Sequence, residues 1–383
     1  MTITDMQDKK RRLGLYIHIP FCCQKCLYCD FCSVAGAESE LVEKYVDSLC
    51  RCLEINSKNA TGYEVDTIYM GGGTPTVLSS LQLSRVLDSC FSRYSVMPDA
   101  EISCECNPAT GSYEYFSDIR KMGVNRLSIG LQSMQDRELR ALGRIHDSEA
   151  FLDTFGIVRS AGFDNISVDL MYGIPEQTMA SFEDTLKRVV DIYPEHISAY
   201  CLKVEENTPF GKMGEGLILP DDDVTSDMYE MCNSVLGGAG YARYEISNFS
   251  KQGRESRHNL RYWLGEEYLG IGAAAHSYFG GERYATSPNI TAFANGEFIV
   301  NEREKISFKE RMTEYVMLRM RLSQGASAKE FKELFERELL CEFPAIERFI
   351  ESGHIVFAGD SLRFSDKGVF VSSYILSEIL DFS

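Results

Sequence analysis

The sequence predicts an α/β protein: a partial barrel of about six parallel β/α units, followed by a mostly helical C-terminal module. Three observations carry this. From about residue 14 to about 205, short β-rich runs alternate with longer amphipathic ones. Polar and glycine-rich residues fall just after each short run, at the C-terminal end where such barrels build their sites. Beyond about residue 220 the rhythm changes, and from Ser307 the pattern is mostly helical. Strands alternating with helices imply parallel pairing through right-handed crossovers. An open doubly wound sheet is the alternative, but no GxGxxG follows the first strand.

The elements follow in order. "GLYIHIPF" reads as the first strand and residues 41–53 as a helix. "VDTIYMGGG" is a second strand ending in glycines, and 78–91 is helical in pattern. "AEISCECNP" is a third strand, stopped by Pro108; a helix then leads to Gly123. "VNRLSIGLQ", "FDNISVDLMYGIP" and "HISAYCLKV" are the fourth, fifth and sixth strands, with a helical pattern at 181–192. A helix over 223–236 leads into "YARYEISNFS" and a Gly/Ala-rich loop. The helices from Ser307 are followed by "HIVFAGDSLRFSDKG", a strand–turn–strand pattern, so the module resembles a winged helix. The expected domains are a barrel core over 1–220, an extension over 221–300 and the C-terminal module over 301–383.

Composition narrows the function. A chain of 383 residues with 44% hydrophobic content has ample core. A net charge of -18 makes it a poor binder of phosphate backbones, so nucleic acid is not an expected partner. No apolar run approaches the roughly 20 residues of a membrane helix. The N-terminus, MTITDMQDKKRRLG, has no apolar stretch of a secretory signal, and its basic residues 9–12 read as a solvated tail. Thirteen cysteines without an export signal point to a reducing cytoplasm and to metal or redox chemistry.

Five of those cysteines crowd into "CCQKCLYCDFC": Cys22, Cys23, Cys26, Cys29 and Cys32. Cys22, Cys26 and Cys29 form C-x3-C-x2-C. Three thiolates on a loop after a strand can ligate three irons of a [4Fe–4S] cube and leave the fourth open. Zinc prefers four ligands in two C-x2-C pairs, and no second pair is present. Cys23 and Cys32 read as spare loop thiols. Cys104 and Cys106, in the third strand, are expected on opposite faces.

The segment resembles the radical S-adenosylmethionine (SAM) enzymes, whose signature is this C-x3-C-x2-C. The resemblance implies a barrel of the radical SAM type, in which SAM chelates the open iron. "GGGTPT" after the second strand looks like the family's glycine-rich motif, which implies SAM contacts for Gly72, Gly73 and Thr74. Glu105, Gln132 and Asp169 end successive strands, and Arg144 lies in "LGRIH". Carboxylates, an amide and a guanidinium at strand tips suit a zwitterionic nucleoside. Together with Tyr16 and Tyr28 they match the SAM-contacting positions of the oxygen-independent coproporphyrinogen III oxidase group.

That group has two branches. The oxidases resemble C-x3-C-x2-C-x-C with a long N-terminal extension. Here Phe31 stands two after Cys29, and about fifteen residues precede Tyr16. Both features look like the HemW-type haem chaperones. "RHNLRYWLGEEY" holds His258, Asn259, Tyr262 and Trp263, similar to that branch's haem-associated H-N-x-x-Y-W. Imidazole is a standard axial ligand of haem iron, and Tyr262 and Trp263 suit a macrocycle. By residue type alone, a histidine beside aromatics is usually a packed or capping one; the whole motif carries the haem reading. His276 is a weaker second candidate.

The resemblance therefore implies a chaperone that binds haem, a [4Fe–4S] cluster and SAM, and passes haem to acceptor haemoproteins. An electron donor such as flavodoxin or ferredoxin is implied if SAM is cleaved. The alternative is the oxidase. There a 5′-deoxyadenosyl radical would take a hydrogen from a propionate of coproporphyrinogen III, and decarboxylation to a vinyl group would follow.

Overall fold

The computed structural model describes residues 11–380. Lys9 and Lys10 of the expected basic tail lie outside them. Arg11 and Arg12 belong to no tail: they open β1 (Arg11–Ile19), paired in register with Tyr63 and Glu64.

After β1 come the short strands β2 (Phe21–Cys22) and β3 (Val34–Ala35), which pair with each other and bracket the cysteine loop. Then follow α1 (Ser39–Ser57), β4 (Tyr63–Gly72), α2 (Ser80–Arg93), β5 (Val96–Cys106), α3 (Tyr113–Lys121) and β6 (Arg126–Gln132). Next are α4 (Asp136–Ala141), α5 (Ser148–Ser160), β7 (Ile166–Tyr172), α6 (Met179–Asp191) and β8 (His196–Cys201). The six predicted strands are all present. Helix starts have local causes. Ser79 and Gln82 close a capping box at α2, and Thr178 and Ser181 do so at α6.

β1, β4, β5, β6, β7 and β8 pair in that order, all parallel. β8 and β1 do not pair among the described residues, so the barrel stays open. Side chains alternate. Leu13, Leu15, Ile17 and Ile19 of β1 are fully buried in the core, each worth about 1.5–3 kcal/mol. Tyr16 and His18, on the other face, point into the barrel. Residues two apart in a strand share a face, so Cys104 and Cys106 do not diverge as expected. Both are buried beside Tyr115 of α3, and Glu105 between them turns inward.

The chain continues through α7 (Pro209–Met213), α8 (Asp222–Gly238), β9 (Ala242–Arg243), β10 (Asn248–Ser250) and α9 (Arg257–Trp263). The Gly/Ala-rich stretch read as a loop is largely strand: β11 (Tyr268–Ile271), β12 (His276–Phe279) and β13 (Glu282–Thr286). After α10 (Ile290–Ala294) comes β14 (Val300–Lys305). β11 runs parallel to β1 on the side away from β4, and β12, β13 and β14 extend the sheet antiparallel. β10 and β9 extend the opposite end, giving twelve strands. Small residues permit this. A Cβ on Gly14 of β1 would fall 2.6 Å from Cδ of Arg261, whose buried side chain crosses there to reach Asp66.

The C-terminal part holds α11 (Phe308–Arg319), β15 (Ala326–Ser327), α12 (Ala328–Phe335), α13 (Leu339–Glu342) and α14 (Ile346–Glu351). The hairpin β16 (Ile355–Ala358) and β17 (Ser361–Phe364) follows, then α15 (Asp366–Phe370) and α16 (Ser372–Ile379). β15 pairs with β17, so a small three-stranded sheet packs on the helices as the winged-helix pattern predicts. This part has its own apolar cluster, from Met312 to Leu380. No helix among the described residues is long and apolar enough to cross a membrane.

Candidate functional site

A cavity of about 580 Å3 opens at the C-terminal ends of the parallel strands. It gathers most of the residues singled out in the sequence. Cys22, Cys26, Tyr28 and Cys29 line it from the cysteine loop; Gly72, Gly73 and Thr74 from the end of β4. Glu105, Gln132, Arg144 and Asp169 complete it, and Asn259 of α9 closes one wall.

The cysteine loop is moored by the barrel. Leu27 N–H donates to Leu142 O at 3.1 Å, Gln24 Nε2 to Gly143 O at 2.9 Å, and Phe210 N–H to Leu27 O at 3.1 Å. Leu27 and Tyr28 pack on a small apolar cluster of Leu142, Met171, Ile174, Leu202 and Phe210. The glycine loop holds the loop's start. Gly73 N–H donates to Ile19 O at 2.9 Å and Thr74 N–H to Phe21 O at 2.7 Å. A Cβ on Gly73 would lie 2.7 Å from the Phe21 carbonyl oxygen, so this close approach requires glycine.

Three thiols on one loop are the donor chemistry that a [4Fe–4S] cluster takes. Cys26 Sγ accepts from Arg144 Nη1 at 3.4 Å, and Cys22 Sγ from Thr74 Oγ1 at 3.6 Å, contacts that suit thiolates. Burial pushes the Cys22 and Cys29 thiols up, so a cationic partner is what would ionise them. Cys23 is exposed, and Cys32 Sγ donates to Pro288 O, so neither points to the set.

Inside the barrel the polar groups form a held network. Glu105 accepts from Tyr69 Oη at 2.9 Å and from Gly72 N–H at 3.0 Å. Burial, with repulsion from Asp169, raises its carboxyl to about 7. Asp169 accepts from Ser128 Oγ at 3.0 and 3.1 Å, and burial raises it too. Gln132 sits past a bulge in β6, with φ of +74°, and its Oε1 accepts from Tyr200 Oη at 2.9 Å. Arg144 also donates to Asn107 Oδ1 at 2.8 Å and Gly130 O at 2.6 Å, while its Nε is buried without a partner.

Sequence reasoning missed the floor of this cavity. Arg126 is 1% exposed, with Nε unpartnered, and faces the cavity with Ser128 and Tyr69. Its charge favours the ionised forms of Glu105 and Asp169. A signal was present: in "RLSIGLQ", Arg126, Ser128 and Gly130 recur at the strand period on one face. Tyr16 stands one layer back from the cavity. Its ring stacks on Tyr69 at 6.2 Å and its hydroxyl meets His18 Nδ1 at 3.0 Å.

The H-N-x-x-Y-W segment is α9, begun by Ser256, whose Oγ accepts from Asn259 N–H. The helix is a partition. Asn259 lines the first cavity, whereas Tyr262 and Trp263 line a second one of about 320 Å3. His258 lines neither. It is 1% exposed; its Nδ1 meets Thr67 Oγ1 at 2.9 Å and its Nε2 meets Tyr262 Oη at 2.9 Å. Burial and the nearby arginines push it down to about 3, so the ring is neutral. With both nitrogens engaged, His258 is a packed histidine in this conformation and presents no free ligand atom. His276 lies exposed at the start of β12.

Comparison with known proteins bears on the family and the fold. A family model described as the radical SAM superfamily matches residues 16–189, and one described as the HemN C-terminal domain matches 306–371. Curated relatives share near-full-length similarity. "Heme chaperone HemW" of Escherichia coli (strain K12) is 35% identical over 95% of this chain and 97% of its own. That of Bacillus subtilis (strain 168) is 36% identical over 95% and 98%. That of Mycobacterium tuberculosis (strain ATCC 25618 / H37Rv) is 33% identical over 96% and 94%. Among solved structures, coproporphyrinogen III oxidase (HemN) from Escherichia coli, a radical SAM enzyme, superposes with a TM-score of 0.85. It is 22% identical, over 97% of this chain and 90% of that one, which shows a shared fold.

Proposed function

The chain belongs to the HemW family of the radical SAM superfamily, and from that premise we propose that it is a haem chaperone that hands its cargo to acceptor haemoproteins. The observation that carries this is similarity to named haem chaperones over 95% of the chain, which takes in both the barrel and the C-terminal module. Phe31, at the position where the oxidase signature has a further cysteine, points the same way.

Cys22, Cys26 and Cys29 would hold a [4Fe–4S] cluster, and SAM would occupy the first cavity. When bound, the pair supplies the superfamily's one-electron reductive chemistry. The chain's own contribution is positioning. Arg144 fixes the Cys26 sulfur relative to β6 through Gly130 O. Gly72, Gly73 and Thr74 let backbone approach the ligand. Glu105, Gln132 and Asp169, each held by a hydroxyl, offer preset acceptors for ribose hydroxyls or an ammonium group. Tyr28 covers the loop side, and Tyr16 supports Tyr69 from behind.

Tyr262 and Trp263 would serve haem by facing it and His258 by fixing Tyr262, whereas Asn259, the fourth residue of the motif, faces the first cavity instead. Flavodoxin or ferredoxin would be the electron donor if SAM is consumed. Thirteen free cysteines fit a reducing cytoplasm.

The test is one preparation and two assays. Anaerobically reconstituted protein is titrated with haemin, then incubated with SAM, dithionite and coproporphyrinogen III. Haemin binding without decarboxylated product is expected. Product over many turnovers would make the protein an oxidase.

A further inference from the structure

The second cavity lies between the barrel and the C-terminal module, on the far side of α9 from the cysteine loop. Its walls come from three stretches: Tyr262 and Trp263 of α9, Tyr268 and Tyr278 of β11 and β12, and Tyr315 and Phe335 of α11 and α12. Flat aromatic walls suit a flat aromatic ligand. Around 320 Å3 falls at the small end of the range of roughly 300–1,000 Å3 for ligand pockets. A cavity of that size takes the edge of a macrocycle and leaves the rest at the surface, as a carrier that must release its cargo requires.

The rim is cationic. Arg283, Arg311 and Arg319 all line it, in a chain whose net charge is -18. Glu314 and Glu266 line it too, but both are engaged. Glu314 takes Arg283 in a two-pronged bond of 2.7 and 3.0 Å, and Glu266 pairs with Arg261 at 3.2 Å. Arg319 stacks on Tyr315 at 4.6 Å, donates from Nη1 to Glu330 at 2.8 Å and from Nη2 to Leu264 O at 3.4 Å, and keeps only its buried Nε unpartnered. Arg311 stacks over Phe335 at 5.8 Å and has no carboxylate within ion-pair distance among the described residues. Guanidinium groups with spare N–H donors beside an aromatic slot match a planar ligand that carries carboxylates.

We propose that this cavity seats the cargo porphyrin, with its macrocycle against Trp263 and the tyrosines and its propionate carboxylates at Arg311 and Arg319. This rests on the haem-chaperone reading and assigns it a place and a set of anchors. α11 and α12 then form one wall of the site, which gives the C-terminal module a direct part in binding.

The experiment uses full-length protein and two probes, haemin and haemin dimethyl ester, whose propionates carry no charge. Arg311 is exposed, so Arg311→Gln leaves the fold intact. Haemin binding to Arg311→Gln should weaken on the order of tenfold, about what one charge-assisted contact contributes. The ester should bind the unaltered protein weakly and be indifferent to the substitution. If unaltered protein and Arg311→Gln bind haemin and ester alike, the anchor assignment is overturned while the chaperone reading stands. If the unaltered protein binds neither probe, the chaperone reading falls, and this assignment with it.

Discussion

His258 and Tyr262 turn their polar ends toward each other, Nε2 to Oη at 2.9 Å, with their rings at 89°. They stand four apart on α9, so they share a helix face. That face is turned into the barrel, where Thr67 completes the chain of contacts. The histidine that reads as a ligand in the sequence is, in the fold, half of a hydrogen-bonded buttress.

Replacing His258 by Ala should therefore cost stability first. It empties a fully buried site and strands the hydroxyls of Thr67 and Tyr262. A loss of about 2–4 kcal/mol is expected, read from urea melts. Haemin affinity should fall in the surviving folded protein, because Tyr262 loses its brace. Unchanged melts and unchanged haemin binding would together refute both roles.

Cys26→Ser should abolish the cluster while sparing the fold. The side chain lies on a loop moored elsewhere, by Leu27 and Gln24. Iron and sulfide analysis after reconstitution, beside a circular dichroism spectrum, reads both parts. Full iron content in the variant would remove Cys26 from the ligand set.

Gly73→Ala tests the glycine loop. Its methyl would press on the carbonyls of Phe21 and Ile19, at 2.7 and 2.8 Å, so the loop must shift. A cost of about 1–3 kcal/mol is expected, together with poor cluster assembly. A variant that melts and reconstitutes like the parent would show the close approach to be dispensable.

Asp169→Asn keeps the shape and removes a charge. SAM binding should weaken by roughly tenfold to a hundredfold, and haemin binding should not change, since Asp169 lines only the first cavity. Calorimetry with each ligand separates these. Equal loss of both would mean that the substitution disturbs the barrel itself.

Acid should destabilise the protein well above the usual carboxylate range. Burial holds His258 down to about 3 and His146 to about 4, and lowers His196 as well. In the unfolded chain each titrates near 6.5. As pH falls below 6.5 the unfolded chain binds protons that the folded one refuses, so stability is lost between about 6.5 and 4. Each group contributes up to about 1.4 kcal/mol per pH unit. Glu105, raised to about 7, acts in the opposite sense between its unfolded value and 7. Asp169 and Glu245, also raised by burial, act in the same sense as Glu105, and these three carboxyls are outweighed by four imidazoles, since burial lowers His18 too. Urea melts at pH 7, 6 and 5 should show a steady decline, shallower in His146→Gln. A flat profile would contradict the burial argument.

The parallel strands were legible because each is a short apolar run closed by Gly, Pro or polar residues. β11 and β12 were not, since "YLGIGAAAHSYF" has the composition of a loop. Its strand character comes from pairing, of β11 with β1 and of β12 with β11 and β13, a tertiary cause that local sequence does not carry. The cysteine loop and the strand-tip residues were legible from spacing, and the structure brings them to one cavity. Arg126 was passed over because a charged residue at a strand start reads as solvent-facing. The direction in which His258 points was beyond reach, because it is decided by Thr67, nearly two hundred residues away in sequence.

α9 is only seven residues long, and Asn259 touches one chamber while Tyr262 and Trp263 touch the other. A guest that displaces Asn259 therefore shifts a wall that the neighbouring guest also leans on. News of occupancy has to cross the thickness of a single helix, with no hinge or domain closure in between. For the same reason, any attempt to re-engineer one chamber through this segment rewrites the other.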